Sequence, residues 1–332
     1  MEQSFITLAH GGGGRLQNEL IEREILSRFG APELASLPDG ALTPENLVIS
    51  TDSFVVTPRF FPGGDIGKLA VVGTVNDVWM AGGIPRYLTL SLILEEHFAL
   101  AELRKILDSA AEAAAACQVA VVTGDTKVVP KGAGDGIYIN TTGIGFRHPA
   151  LRLGRERFVP GDRIIVSGGV GEHGMAILAA RHRLDAPGLK SDCSCLADTV
   201  QEICKTTPAG VKFLRDATRG GILGVVCEIF ARGACGATLD ETAIPLAPEV
   251  AALAKLLGID PYFAACEGRL VAVVDGAMAE DCAARLRALP GGGLAAVIGE
   301  VTDDAGTVRL RNAWGLERLA VVPAGDQLPR IC

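Results

Sequence analysis

Two periods of apolar residues alternate along the first half of the chain. The segments LVIST, RYLTLSLIL, VAVVTGD and GIYINTTGIGF are rich in β-branched residues and read as strands. Between them, IGKLAVVGTVNDVWMAGG and ALAELRKILDSAAEAAAAC read as helices. A polar, proline-containing stretch, HPALRLGRERFVPGD, interrupts the pattern and predicts a boundary near residue 150. The pattern restarts with the strand RIIVSG. It is expected to be helix-rich from GMAILAARH through AGVKFLRDATRGGILGVVCEIFARG, and then to return to strands at RLVAVVDG and LAAVIGEV. The fold class expected is α+β in two domains, 1–150 and 151–322, followed by a mobile tail, 323–332.

Composition adds that the chain can bury a large core, since 48% of its 332 residues are hydrophobic and 21% are charged. A net charge of -8 with no polybasic run argues against nucleic acid or an anionic membrane as a partner. The opening MEQSFITLAH lacks the regions of a signal peptide, and no apolar stretch approaches the roughly 20 residues that span a bilayer. A cytoplasmic protein is expected. Nine cysteines are scattered through mostly apolar surroundings, where they read as small hydrophobes. Cys193, Cys195 and Cys204 invite a metal reading, but the paired spacing and histidine partner of a zinc site are missing.

Three glycine-rich stretches could cradle phosphate. GVGEHG follows a strand and opens a helix, yet no second strand ending in an acidic residue follows promptly, so the dinucleotide-binding context fails. GGDIGK is one residue short of a P-loop and has Leu69 where the magnesium-binding hydroxyl belongs. In HGGGGR, Gly12 and Gly13 could turn successive N–H groups onto an anion, or the stretch is simply a flexible tail.

The acidic residues carry more. Asp52 in STDSF stands at a strand end, and Asn76 and Asp77 lie inside an otherwise apolar helix. Asp125 and Lys127 follow a strand, and Asp216 precedes a glycine-led helix. A carboxylate in an apolar helix is costly unless a cation or donor meets it, so Asp77 is expected to have a partner. Several carboxylates together can hold Mg²⁺ clamped to nucleotide phosphates, with Lys127 adding a point charge. Taken singly, Asp125 and Asp216 read as cap or turn residues, and it is the four acids together that favour the cation.

STDSF, GTVNDVWMAGG, GDTKVV, SGGVGEHGMAI, SDC, RDATRGG and CEG, in this order over nearly the whole chain, resemble the ATP-dependent superfamily of aminoimidazole ribonucleotide synthetase and selenophosphate synthetase. Within it, GDTKVV and the ending PRIC resemble the HypE family of hydrogenase maturation factors. The resemblance implies a homodimer whose N-terminal domains form a β-barrel with ATP in clefts at the interface. It implies Asp52, Asp77, Asp125 and Asp216 as Mg²⁺ ligands, with Asn76, Lys127, Gly12 and Gly13 also at the nucleotide. It further implies that the carbamoyltransferase HypF loads a carbamoyl group onto Cys332 and that ATP-dependent dehydration turns the thiocarboxamide into a thiocyanate. By the same resemblance, the cyanide would pass to the iron of NiFe-hydrogenase through the HypC–HypD complex.

The amide oxygen is a poor leaving group, and phosphoryl transfer makes it a good one. Glu267, flanked by apolar residues and glycine, is the candidate base, with a solvated turn residue as its alternative. Ten residues from Pro323 to Cys332 can reach about 30 Å when extended, enough for a swinging arm. Selenophosphate synthesis would instead need a reactive cysteine near the N-terminus, and none precedes Cys117. A non-catalytic carrier would not need Asp52, Asp77 and Lys127.

Overall fold

The computed structural model describes residues 5–12, 15–29, 33, 38–207, 209–231, 233–322 and 330–332. The first part of the chain runs α1 (Arg15–Leu20), β1 (Ala41–Leu42), β2 (Leu47–Phe54) and a small hairpin of β3 (Phe60–Phe61) and β4 (Gly64–Asp65). It continues through α2 (Ile66–Met80), β5 (Gly83–Glu95), α3 (Leu100–Ala116), β6 (Ala120–Val129) and β7 (Ile137–Arg147). A five-stranded sheet has the order β1-β2-β7-β5-β6. Only β5 and β6 run parallel, and α3 supplies the crossover that such a pair requires.

All residues of α2 except Lys68 and Asp77 are buried, which explains why its sequence is apolar all round. Asp65 caps its start, accepting the N–H groups of Gly67 and Lys68 at 2.7 and 3.1 Å. Those N–H groups are therefore spent on the helix cap, consistent with GGDIGK not being a phosphate loop. The outermost strand, β6, is exposed along nearly its whole length, including Val121, Val122 and Val128. An uncovered apolar edge of this kind is a template for pairing with another chain.

The second part runs β8 (Arg163–Val166), α4 (Glu172–His182), α5 (Ala197–Thr206), β9 (Val211–Asp216), α6 (Gly221–Phe230) and β10 (Gly236–Asp240). It ends with α7 (Pro248–Leu257), β11 (Leu270–Val274), α8 (Ala279–Arg287), β12 (Ala296–Thr302), β13 (Val308–Arg311) and β14 (Glu317–Leu319). Its seven strands form one mixed sheet in the order β14-β13-β10-β12-β8-β11-β9. The stretch expected to be helical before RDATRGG is the edge strand β9, paired antiparallel with β11. Its alternating burial follows a period of two, which the local sequence disguised by placing Lys212 inward, where it meets Asp162 at 2.5 Å. No described helix is long and apolar enough to cross a membrane.

Candidate active site between the two sheets

The two parts meet over α2. Asn76 is buried there, and its amide is used within the chain: Oδ1 accepts the Leu196 N–H at 2.9 Å, while Nδ2 donates to the carbonyls of Ser194 and Glu267. Asn76 thus clamps the SDC and CEG loops onto α2, and it is not brought to the acidic cluster as a nucleotide ligand. One residue on, Asp77 points to the other side. Its carboxylate, that of Asp216 at the end of β9, and that of Asp39 in the loop before β1 offer oxygens all within 4.8 Å of one another. Asp52 on β2 hydrogen-bonds Asp77, and the Ser50 hydroxyl lies 2.8 Å from Asp77 Oδ2.

Burial pushes the Asp77 carboxyl well above the ordinary carboxylate range, and the charges of Asp52 and Asp216 push it further. Asp216 rises for the same reasons, burial first and then Asp39. Asp39 also rises through burial, although Arg215 opposes the shift from 3.2 Å. Three convergent hard oxygens whose repulsion Arg215 relieves only in part suit a divalent cation such as Mg²⁺, which prefers carboxylates and nucleotide phosphates. Asp39, Asp77 and Asp216 would hold it.

A folded-state pKa above the unfolded one adds stability that is complete below the unfolded carboxylate value, roughly 4, and is lost as pH rises through the raised value. The metal-free protein should therefore lose this contribution on going from mildly acidic to alkaline pH. Added Mg²⁺ should raise the melting temperature, and by more at high pH than at low. Thermal melts across pH with and without Mg²⁺ check this; a Mg²⁺ effect that shrinks as pH rises would contradict it.

Glu267 lies across the same cavity, at 3% exposure, which removes the alternative of a solvated turn residue. Asp192, from SDC, accepts the backbone N–H groups of Glu267 and Gly268 at 3.0 and 3.1 Å and so fixes the CEG loop. A side chain at Gly268 would stand 2.0 Å from the Asp192 carbonyl oxygen, so only glycine permits this approach. A second glycine clears the facing wall: at Gly73 an added carbon would meet the Phe54 ring at 3.0 Å and approach Glu267 Oε2. Glu267 Oε1 is buried without a hydrogen-bond partner. Burial, then Asp216, Asp192 and Asp52, raise its pKa well above the ordinary range.

The chain end reaches the same place. Ile331 is buried, and its carbonyl oxygen lies 2.6 Å from His173 Nε2, whose Nδ1 is 2.8 Å from the Ser191 hydroxyl. Val55 N–H donates to the Cys332 carbonyl at 3.1 Å, and Thr57 N–H donates to that of Arg330 at 3.2 Å. Arg330 also pairs with Asp135. Cys332 thereby lines a cavity of about 330 Å³ together with Asp39, Asp52, Asp77, Asp216 and Glu267, and its sulfur lies 3.9 Å from Arg219 Nη1. His173, Glu172 and Gly171 come from the stretch that spells a dinucleotide loop. Instead Gly171 opens α4 at φ 79°, Glu172 binds Arg269 at 2.6 Å, and His173 holds the tail.

Asp125 and Lys127 are not brought to this cleft. They form an exposed ion pair with each other on β6. Gly12 is buried at the end of a short turn, and Gly13 lies outside the described residues. Nor do the cysteines of CSC form a metal site among the described residues, where the group of acids that could hold a metal is Asp39, Asp77 and Asp216. Sequence reasoning passed over Asp39, whose Asp-Gly spelling reads as a turn, and the arginines Arg215 and Arg219, although both lie within the quoted motif RDATRGG.

Residues 39–146 and 159–311 match the N-terminal and C-terminal domains of the AIR synthase related protein family. A curated relative, Carbamoyl dehydratase HypE of Rhodobacter capsulatus, is 45% identical over 98% of each chain. The chain belongs to the carbamoyl dehydratase HypE family. Among solved members of that family, HypE in a HypE–HypF complex superposes with a TM-score of 0.88 at 39% identity, covering 92% of this chain and 99% of the other. A HypE solved in complex with ATP gives 0.83 at 41% identity, covering 99% and 100%. This HypE-family chain thus shares its two-domain α+β fold with enzymes of hydrogenase maturation.

Proposed function

We propose that this protein dehydrates a carbamoyl group carried on its own Cys332, using ATP, and so supplies cyanide for the iron of NiFe-hydrogenase. The observation that carries the reading is the presence of Cys332, the acid cluster and the unpartnered Glu267 in one cavity. The net step converts a thiocarboxamide and ATP into a thiocyanate, ADP and phosphate. The amide oxygen takes the γ-phosphoryl group, the nitrogen gives one proton to Glu267 and the other to the departing phosphate, and the C–O bond breaks as phosphate leaves with its electron pair. Glu267 Oε1 accepts a proton from the amide nitrogen, and its raised pKa makes it a stronger base than an ordinary carboxylate. Arg219, beside the Cys332 sulfur, balances charge at the reacting group. Bound Mg²⁺ would neutralise phosphate charge, held by Asp77 and Asp216 with Asp39 and Asp52.

The first 150 residues serve as nucleotide-binding and dimerisation unit, and residues 151–322 close the cleft over it. In the homodimer, the bare edge of β6 pairs with a second copy and closes a barrel, which carries Asp125 and Lys127 to the nucleotide across the interface. The tail 323–332, of which 323–329 lie outside the described residues, serves as the arm that carries Cys332 out of the cleft to be loaded by HypF. The complex of a relative with HypF supports that partner, and HypC–HypD would receive the cyanide. Every one of these steps belongs in the cytoplasm.

Protein loaded at Cys332 should yield a C-terminal peptide lighter by one water after incubation with Mg²⁺ and ATP. Asp77→Asn and Lys127→Ala should still be loaded but lose dehydration and ATP turnover. Peptide mass and phosphate release measure both, and full ATP turnover in the two variants would remove these residues from the site.

A further inference from the structure

A second cavity of about 560 Å³ adjoins the first beneath the β1 loop, and the two share Pro38, Asp39, Arg155 and Arg215 as lining. Their charges are opposed. Six carboxylates and three arginines line the first, while five arginines and three carboxylates line the second. Arg215 is neutralised between Asp39 and Glu228, each at 3.2 Å. Arg155 is half-buried over the Phe213 ring at 5.5 Å; Glu228 and Asp39 act on it from a distance, and among the described residues no carboxylate reaches ion-pair distance of its guanidinium and no group accepts a hydrogen bond from it. A guanidinium withdrawn from water without an anion in contact is unfavourable: burial and then Arg215 weaken its hold on the proton, and Glu228 and Asp39 offset this only in part.

We propose that Arg155, with the arginine-lined cavity behind it, is an anion site that receives the phosphate released in the dehydration and leads it out of the cleft. The assignment rests on the dehydratase reading for the origin of the phosphate. Phosphate freed beside Asp39, Asp52, Asp77 and Asp216 is repelled by them once it has left the nucleotide's cation. Arg155 stands at the passage to the positive compartment, with its five N–H donors uncommitted, in the fork geometry that suits a phosphate oxyanion. Phosphate could equally enter from solution, so the same site would make free phosphate a product inhibitor.

The test uses the full-length protein and inorganic phosphate as probe, with binding followed by calorimetry and by ³¹P line broadening without ATP. The parent should bind phosphate. Arg155→Met, which keeps the apolar cover on Phe213, should weaken binding roughly tenfold or more, the loss expected for a charge-assisted contact. Arg155→Lys should recover part of it. In the ATP-dependent assay, phosphate inhibition should weaken in Arg155→Met to the same extent. Binding that is absent in the parent, or equal in parent and Arg155→Met, overturns the proposal. Because the binding measurement needs no turnover, failure of the dehydratase reading shows separately, as a C-terminal peptide that never loses water.

Discussion

Cys332→Ala is expected to abolish product altogether while leaving the fold and ATP binding intact. In this reading the substrate is covalently part of the protein, so holding it in the cleft replaces a two-body encounter with an intramolecular one. No free carbamoyl donor would restore turnover to the variant at ordinary concentrations. The hydrogen bonds that hold the tail come from the backbone of Arg330, Ile331 and Cys332 and from the Arg330 side chain, and they survive the substitution. Extending the chain past Cys332 by one alanine is the sharper variant, since it keeps the thiol and adds about 3.5 Å of chain. The Cys332 carbonyl is already committed to Val55 N–H at 3.1 Å, so the added residue must turn into the small cavity that the substrate needs. Loading should survive in part, and loss of water from the C-terminal peptide should stop. A normal loss from the extended variant would show that the terminal position is incidental.

Glu267→Gln should bind nucleotide like the parent and dehydrate roughly 10² to 10⁴ times more slowly, the usual worth of a positioned base. Glutamine keeps the shape, and the backbone contacts from Asp192 and Asn76 that orient residue 267 remain. What is lost is the proton acceptor at the unpartnered Oε1. The pH dependence gives an independent reading. Because burial and neighbouring acids raise the Glu267 pKa, the fraction ionised grows as pH rises through that value, and the parent's rate should climb with it. The Gln variant should lack that limb. A variant that dehydrates at the parent's rate with the parent's pH profile would make Glu267 structural.

The sequence by itself determined the parts whose cause is local. The four long strands of the first sheet and the buried helix α2 follow from periodicity, because a segment's burial pattern is written in its own residues. Asp77 could be singled out the same way: a carboxylate inside an apolar helix needs a partner, and it has a donor in the Ser50 hydroxyl while Asp52 and Asp216 crowd it with like charge. The family was legible in the order of short motifs and in the final cysteine, whose presence in the cleft only the structure could show.

Tertiary structure decided everything that depends on which distant segments meet. Asp39 joins Asp77 and Asp216 because a loop before β1, a helix end and a strand end converge, and no spacing along the chain encodes that approach. Asn76 and Asp77 are neighbours in sequence, yet a step of about 100° around a helix sends one to clamp two loops and the other to the acidic cluster. β9 escaped recognition because its inward lysine finds Asp162, a partner 50 residues away that cancels the cost of burial. Asp125 and Lys127 read as cleft residues from their motif, yet they lie on an exposed edge strand and pair with each other, because the local sequence does not record which strand ends up outermost. Periodicity reports how a segment is buried; it carries no record of the opposing wall, and a site made where two sheets close on one helix is defined by that wall.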